Sequence, residues 1–243
     1  MKRASVVLIP NEALTSLPLH REIMRDRIQT QQTQPNIIGT PGGSVGTMSG
    51  SFGGRAAIGK IGEVRTAEVL ARLCRGDGPT VLHDLRLPMG KIQANIDHVV
   101  VSGERVTILD SKAWQPGRIW TFAGVTRRGW SRFPSGDKRT LDMAQTAISA
   151  VLRGKQVKHR MAPPLMVVWP SNDTRAMKLG LFKPVGAEAI TGRRLITNAK
   201  RLLGDKPADP AIVAALLPLV IKTGGQIIGG GRQPLAIDDD PFA

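Results

Sequence analysis

The chain has 243 residues, which is enough for one domain with a sizeable core but hardly enough for two full domains. It carries 34 lysines and arginines against 19 aspartates and glutamates, so its formal net charge is +15. This excess predicts a partner with many negative charges, either nucleic acid or an anionic membrane surface. The single cysteine, Cys74, excludes an intramolecular disulfide and a thiolate metal cluster, and it favours a reducing compartment.

Neither end of the sequence predicts a membrane segment. Met1-Lys-Arg is followed by only seven weakly apolar residues without a small-residue cleavage pattern, so we predict no signal peptide. The longest later apolar run, Ala211 to Ile221, is about half of a membrane span and contains Pro218. We therefore expect a cytoplasmic protein without stable membrane insertion.

Composition divides the chain into three parts. Residues 1–55 combine a glutamine-rich stretch with a Gly/Ser/Thr tract, and they lack the apolar area that would offset their ordering entropy. We interpret them as an N-terminal arm that is largely flexible, with some helix around 19–28. Residues 56–203 are predicted to form the folded domain. From 204 to 243, Pro, Gly and an acidic end predict a loosely attached helix and tail.

Within the domain, the first predicted element is a helix from Ile58 to Cys74. Its apolar stripe contains Ala67, Leu70 and Cys74, and Glu63 lies one turn earlier on the same side. The hydrophobic periodicity then predicts strands over 80–87, 92–101 and 106–111, a helix over 141–152, a strand over 165–169 and a helix over 192–203. This order predicts the α/β class, with a mixed central β-sheet flanked by helices.

The second and third strands form a predicted hairpin whose loop is 102–105. With that loop, Val101 lies opposite Val106, and because opposed residues keep a constant index sum, Asp97 lies opposite Asp110. Opposed residues have Cβ atoms roughly 4.5–5.5 Å apart, and like charges at that distance repel each other. A fold that keeps such a pair is expected to place positive charge between its members.

Lys112 follows Asp110 by two residues, so strand alternation places it on the same face. With Glu63 from the helix, the expected site has three carboxylates and one ammonium. Hard oxygen ligands favour Mg²⁺ or Mn²⁺ over Zn²⁺, and Mg²⁺ commonly bridges carboxylates, waters and phosphate. The pattern therefore predicts phosphodiester hydrolysis. The alternative interpretation treats the aspartates as strand-end residues and Lys112 as a solvated charge.

These motifs resemble those of the nuclease-related domain family (NERD), a branch of the PD-(D/E)xK nuclease superfamily. The resemblance spans about residues 56–203. It rests on Gly59-Lys-Ile-Gly-Glu63, on Ile96-Asp-His-Val-Val-Val-Ser102, on Ile108-Leu-Asp-Ser-Lys112 and on Gln145 in a later helix. Two positions depart from the family pattern, since Asn95 stands where Gln is frequent and Asp110 where Glu is frequent.

The resemblance implies a restriction-endonuclease-like core and a metal-dependent nuclease, most simply acting on DNA in defence, repair or mobile-element biology. It implies that Asp97 and Asp110 bind Mg²⁺ or Mn²⁺, that Lys112 is the catalytic lysine and that Glu63 helps to hold metal or water. Gln145 matches a glutamine that contacts the metal site or the nucleic-acid backbone in related nucleases. The expected metal-binding set also includes Ser111.

A basic surface is expected to bind nucleic acid without sequence preference. In the stretch after Lys112, tryptophans alternate with arginines, which suits stacking on nucleic-acid bases and contacts with phosphates. The alternative is a hairpin whose tryptophans cover the sheet, and both interpretations can hold. His98 is expected to pack on the opposite face, and no role is assigned to the other histidines. The expected nucleic-acid contacts are Arg118, Arg127, Arg128, Arg132, Lys155 and Lys158.

Two further function classes remain open at this level. One is a noncatalytic nucleic-acid-binding protein on a nuclease fold, and the other is an anionic-lipid or scaffold protein, which would leave the opposed aspartates unexplained. A homodimer is possible if both strands of a duplex are cut together. The sequence does not distinguish endonuclease from exonuclease action, and it identifies no protein partner.

Overall fold

A computed structural model describes residues 36–42, 53–87, 95–134, 140–172 and 174–221, with backbone alone for 53–58. The predicted helices and strands occur in the predicted order, and the structure adds further short strands before and between them. The strands are β1 (Ile37–Ile38), β2 (Thr80–Arg86), β3 (Asn95–Ser102), β4 (Arg105–Trp114), β5 (Ile119–Phe122), β6 (Val125–Arg128), β7 (Ser131–Arg132), β8 (Arg160–Met161), β9 (Leu165–Pro170) and β10 (Glu188–Thr191). The helices are α1 (Gly53–Leu73), α2 (Thr140–Gly154), α3 (Gly192–Leu203) and α4 (Pro210–Leu216).

The central sheet is mixed, as predicted. Its order is β1-β2-β3-β4-β9-β10, and β8 also pairs with β4. The β2-β3-β4 part is antiparallel, whereas β4, β9 and β10 run parallel, as do β1 and β2. A second, three-stranded antiparallel sheet contains β5, β6 and β7.

Each face of the central sheet has its own apolar core. Val100 and Leu109 face α1 and α3, together with Leu70 and Leu195. On the other face, strand residues such as Ile108 pack in one cluster with the buried residues of α2 and α4. Side chains alternate along β3 and β4, so neighbouring residues belong to different cores. The result is a three-layer α/β/α arrangement, which confirms the predicted fold class.

Local capping explains where α3 begins and ends. The Thr191 hydroxyl accepts a hydrogen bond from the Arg194 amide at the start, and Gly204 adopts φ 90° at the end, where its N–H bonds the carbonyl of Lys200. A hydroxyl N-cap and a C-terminal glycine satisfy main-chain groups that the helix leaves unpaired. The predicted bounds of this helix, 192–203, are confirmed.

Two segments differ from expectation. Residues 36–42, assigned to the arm, add β1 to the sheet: the side chain of Asn36 donates to the carbonyls of Cys74 and Gly76 at 2.8 and 2.6 Å. The predicted loose attachment of the C-terminal helix is wrong, because Ile212 and Leu216 of α4 are fully buried in the core. Most of the predicted arm and the tail beyond 221 lie outside the described residues. None of the described helices is long and apolar enough to cross a membrane.

Candidate active site

The hairpin register places the two predicted aspartates at one end of β3 and β4. Pairing runs from Ser102–Arg105 to His98–Leu109 and includes the predicted Val101–Val106 pair. Asp97 and Asp110 are the next residues on each strand. The Ser111 amide donates to Asp97 Oδ2 at 2.7 Å, which ties the Asp97 side chain to β4. The predicted register is confirmed as far as the His98–Leu109 pair, and Asp97 and Asp110 lie directly beyond it.

Lys112 lies on the same side as these carboxylates and makes the shortest ion pair of the site. Its Nζ is 2.6 Å from Asp110 Oδ1, and the two side chains are 28% and 20% exposed. Burial lowers the pKa of Lys112, but attraction to Asp110 and Asp97 outweighs burial, so the pKa lies above its ordinary value. The lysine is a cation at neutral pH.

Glu63 reaches the same group from α1. The preceding residue, Gly62, lies against β4: a Cβ there would be 3.1 Å from the main chain of Lys112 and Ala113. This close approach is what sets the helix against the end of the strand. Burial and the nearby Asp84 carboxylate raise the pKa of Glu63, while Lys112 opposes the shift.

Asp84 also belongs to this carboxylate cluster, although it was not predicted from the sequence. It is buried on β2 between two residues paired with β3, and it has φ 53°. A non-glycine residue rarely adopts a left-handed conformation, and such residues gather at functional sites. The β2–β3 register places Asp84 level with Asp97, since His83 pairs with His98. That register could have identified Asp84 from the sequence, but the loop between β2 and β3 is too long for its length to predict how the two strands pair.

The cluster has more negative than positive charge. Glu63, Asp97 and Asp110 lie near the Lys112 ammonium, and Asp84 adds a further carboxylate near Glu63, in a chain whose net charge is +15. Burial and the neighbouring Asp110 raise the pKa of Asp97 well above its ordinary value. A bound cation would offset this repulsion, and the oxygen-only donor set fits Mg²⁺ or Mn²⁺.

These carboxylates do not form a complete metal cage. Across the described ranges, no group of three or more His, Cys, Asp or Glu residues is arranged to hold a metal ion. Mg²⁺ sites commonly use one or two carboxylates, with waters and substrate phosphate as the other ligands. The donor set therefore fits a cation that is held jointly with substrate.

A buried hydrogen-bonded network lies behind the carboxylates. The Trp169 indole donates to Thr66 Oγ1 at 2.9 Å, and the Ser111 hydroxyl donates to the same oxygen at 2.7 Å. His98 Nε2 is 3.1 Å from Ser111 Oγ, and His98 Nδ1 is 2.7 Å from His83 Nδ1. The network joins α1, β9, β4, β3 and β2.

The donor and acceptor roles of the neighbouring hydroxyl groups determine which ring nitrogen of each histidine carries a hydrogen. Thr66 donates its hydroxyl hydrogen to the carbonyl of Gly62, and Ser111 donates to Thr66, so Ser111 must accept from His98 Nε2–H. Neutral His98 then accepts at Nδ1, and His83 donates from its own Nδ1. Burial lowers the pKa of His98 and lowers that of His83 to about 4, which keeps both rings neutral.

Each strand residue of this network adjoins a residue of the cluster. His83 precedes Asp84, His98 follows Asp97, and Ser111 separates Asp110 from Lys112. Because each network residue is a chain neighbour of a cluster residue, the buried bonds among His83, His98 and Ser111 hold the main chain beside the carboxylates in place. The packing role expected for His98 is confirmed, and His83, to which no role was assigned, shares it.

Two predicted site residues have other contacts. The Ser111 hydroxyl bonds Thr66 and His98, so only its main-chain N–H contacts the cluster, through Asp97. Gln145 donates its side-chain amide to the Ala162 carbonyl at 3.2 Å. The Ala162 amide donates in turn to the carbonyl of Val106 on β4. Val106 lies four residues before Asp110, so the Gln145 contact is roughly 13 Å along the strand from Asp110.

The predicted basic contacts occupy several surfaces. Arg127 and Arg132 are paired on the three-stranded sheet, whereas Arg128 lies 5.3 Å from the Phe133 ring on the other side of it. Arg118 adjoins Lys178 through an isolated bridge. Of the two predicted lysines, Lys155 is exposed, and Lys158 forms an exposed ion pair with Glu104 at 3.0 Å.

Comparison with known proteins agrees with this geometry. The family model of the nuclease-related domain (NERD) matches residues 58–163, which include Glu63, Asp84, Asp97, Asp110 and Lys112. Comparisons with curated proteins and with solved structures gave no match. The match confirms the resemblance found in the sequence: residues 58–163 of this chain are similar to the nuclease-related domain family.

Proposed function

We propose that this protein is a metal-dependent nuclease that hydrolyses phosphodiester bonds, with DNA as its most direct substrate. The observation that carries the proposal is the pair of neighbouring carboxylates, Asp97 and Asp110, with the Lys112 Nζ 2.6 Å from Asp110 Oδ1. The nuclease-related match supports the reaction class. The net charge of +15 supports a polyanionic substrate.

Asp97 and Asp110 would hold the cation, and Glu63 would contribute a further oxygen or orient a water. A divalent cation bound there would supply Lewis acidity and neutralise phosphate charge. Asp97 is anchored for this purpose by the Ser111 amide, which leaves its other carboxylate oxygen available. Asp110 would exchange part of its contact with Lys112 for the cation.

Lys112 would act as a donor. Its raised pKa keeps the ammonium protonated at neutral pH, so it is poorly suited to remove a proton from water. It is well suited to donate hydrogen bonds to a phosphate oxygen as negative charge develops. The buried network behind the sheet would keep its main chain in place through Ser111.

Cleavage assays with substitutions at the two central residues test this function. Supercoiled, linear and single-stranded DNA and RNA would be incubated with Mg²⁺, Mn²⁺ or EDTA, using wild type, Asp110→Ala and Lys112→Ala. Matched controls are Glu68→Ala and Lys200→Ala, both exposed. We expect cleavage to need metal and to fall at least about a hundredfold in the two site variants alone.

Two results would contradict the assignment. Cleavage by both site variants at the wild-type rate would mean that another group of residues performs the reaction. Tight DNA binding without cleavage under any metal condition would favour the noncatalytic alternative. A metal titration by calorimetry provides a second readout, since Asp97→Asn should weaken Mn²⁺ binding while the folded fraction stays unchanged.

A further inference from the structure

The three-stranded sheet β5–β7 has aromatic side chains on its solvent-facing side. Trp120 is paired with Arg127, and Phe122 with Val125, so these four residues share one face. Phe122 is 72% exposed, and the neighbouring Trp130 is 89% exposed. The opposite face is directed inwards, because Ile119 and Thr126 are buried. Large aromatic side chains on an exposed face indicate a binding surface.

Contacts within this face hold the aromatic rings in place. The Trp120 indole donates to the Gly129 carbonyl at 2.8 Å, and its ring meets Trp130 edge-to-face with centroids 6.4 Å apart. The Arg127 guanidinium lies 5.9 Å from the Trp120 centroid and donates to the Trp130 carbonyl at 3.0 Å. Arg127 thus supports both tryptophans, and the exposed Trp130 ring is presented to solvent.

The surface also has an unbalanced charge. Residues 115–134 contain no aspartate or glutamate, and two of their four arginines, Arg127 and Arg132, lie on this face. Arg127 pairs directly with Arg132 across β6 and β7. Like charges in that position destabilise a sheet, and a bound anion would relieve the repulsion. Aromatic rings beside arginines fit a ligand that offers both flat apolar groups and phosphates.

The position of the sheet links it to the proposed active site. Trp114, two residues after Lys112, packs edge-to-face on Phe133 at 4.9 Å and anchors the end of the sheet. Ile119 begins β5 seven residues after Lys112, so the two main-chain positions are at most about 25 Å apart. A strand of a few nucleotides can span that distance.

We infer that the solvent-facing side of β5–β7 binds unpaired nucleic acid, with Trp130 stacking on a base and Arg127 and Arg132 contacting the flanking phosphates. This inference rests on the proposed function and specifies its substrate as single-stranded segments or frayed ends. In a duplex the bases are stacked on one another, so Trp130 has no free base face to contact.

Binding measured in EDTA, where cleavage is suppressed, tests the inference with the full chain. The probes are a fluorescein-labelled single-stranded oligodeoxynucleotide and its blunt-ended duplex of equal length. The variants are Trp130→Ala, Trp130→Phe and Arg127→Ala. Controls away from this face are Ile196→Ala on α3 and Arg153→Ala on α2, whose wild-type side chains are exposed.

We expect Trp130→Ala to raise the Kd for the single strand roughly five- to a hundredfold while changing the duplex Kd less than about twofold. Trp130→Phe should restore most of the affinity, because a phenyl ring still stacks. Arg127→Ala should weaken single-strand binding and reduce its salt dependence more than Arg153→Ala does.

Three outcomes would overturn the inference. The first is an unchanged single-strand Kd in Trp130→Ala, and the second is an equal loss of affinity for the single strand and the duplex. The third is a change in the sedimentation of Trp130→Ala without a change in its DNA binding, which would identify a self-association surface. The proposed nuclease function fails separately, through the metal-dependent cleavage assay. Single-strand binding that depends on Trp130 without any cleavage would support this surface and refute the nuclease.

Discussion

Thr66→Val removes the oxygen on which the buried network converges while preserving side-chain shape. Thr66 Oγ1 accepts from the Trp169 indole and the Ser111 hydroxyl, and all three groups are buried. The Ser111 hydroxyl can rotate towards another acceptor, whereas the indole N–H cannot. An unsatisfied buried donor costs about 1–3 kcal/mol, so losing both bonds should lower the free energy of unfolding by about 2–4 kcal/mol.

Urea denaturation followed by circular dichroism measures this loss. Thr146→Val is the matched control, because Thr146 also donates to the carbonyl four residues earlier but is exposed on α2. We expect its effect to stay within about 0.5 kcal/mol, with similar m-values for both variants. Equal effects of the two substitutions would refute the reasoning that the tertiary bonds of Thr66, rather than its local helix bond, stabilise the fold.

Three further predictions concern packing, pH and reactivity. In Gly192→Ala the new Cβ would overlap the Trp169 ring, so we expect the free energy of unfolding to fall by about 1–3 kcal/mol in thermal denaturation. Gly154→Ala is the control because its Cβ meets open space, and equal losses in the two variants would contradict this prediction. Burial lowers the pKa of His83 from 6.5 to about 4 on folding, so its contribution to stability is complete above pH 6.5 and falls by about 3 kcal/mol as the pH drops towards 4. His83→Asn should flatten the plot of unfolding free energy against pH over this range, and an unchanged plot would exclude His83 as the source of the pH dependence. Burial raises the pKa of Cys74 to about 12, so a disulfide reagent should label it only as the protein unfolds, and rapid labelling of the folded chain would disprove its burial.

The parts of the fold that sequence predicts well are those set by short-range geometry. The turn between β3 and β4 is short, so the constant index sum predicts the register and places Asp97 opposite Asp110 from the sequence alone. The α3 helix is bounded by a hydroxyl cap and a glycine. In both places a few neighbouring residues determine the conformation.

The parts that sequence did not predict depend on long-range contacts. Eight residues separate β2 from β3, so loop length did not define their register, and Asp84 and His83 were not connected to the site. Two residues, Ile37 and Ile38, are too few to show periodicity, yet they pair with β2. The sheet β5–β7 exposes large aromatic side chains, whereas a strand that covers a core is expected to bury them.

The strand order also determines when the site can assemble during folding. The β3–β4 hairpin closes through a short turn, so its two aspartates can meet early. Lys112, however, pairs with Val168 of β9, 56 residues later in the chain and beyond the matched domain boundary at 163. Closing so long a loop is entropically slow. A chain truncated near residue 163 would retain every acidic residue of the site but lose the strand that pairs with Lys112, so we expect a chain that folds around the site to include β9 and the buried α4.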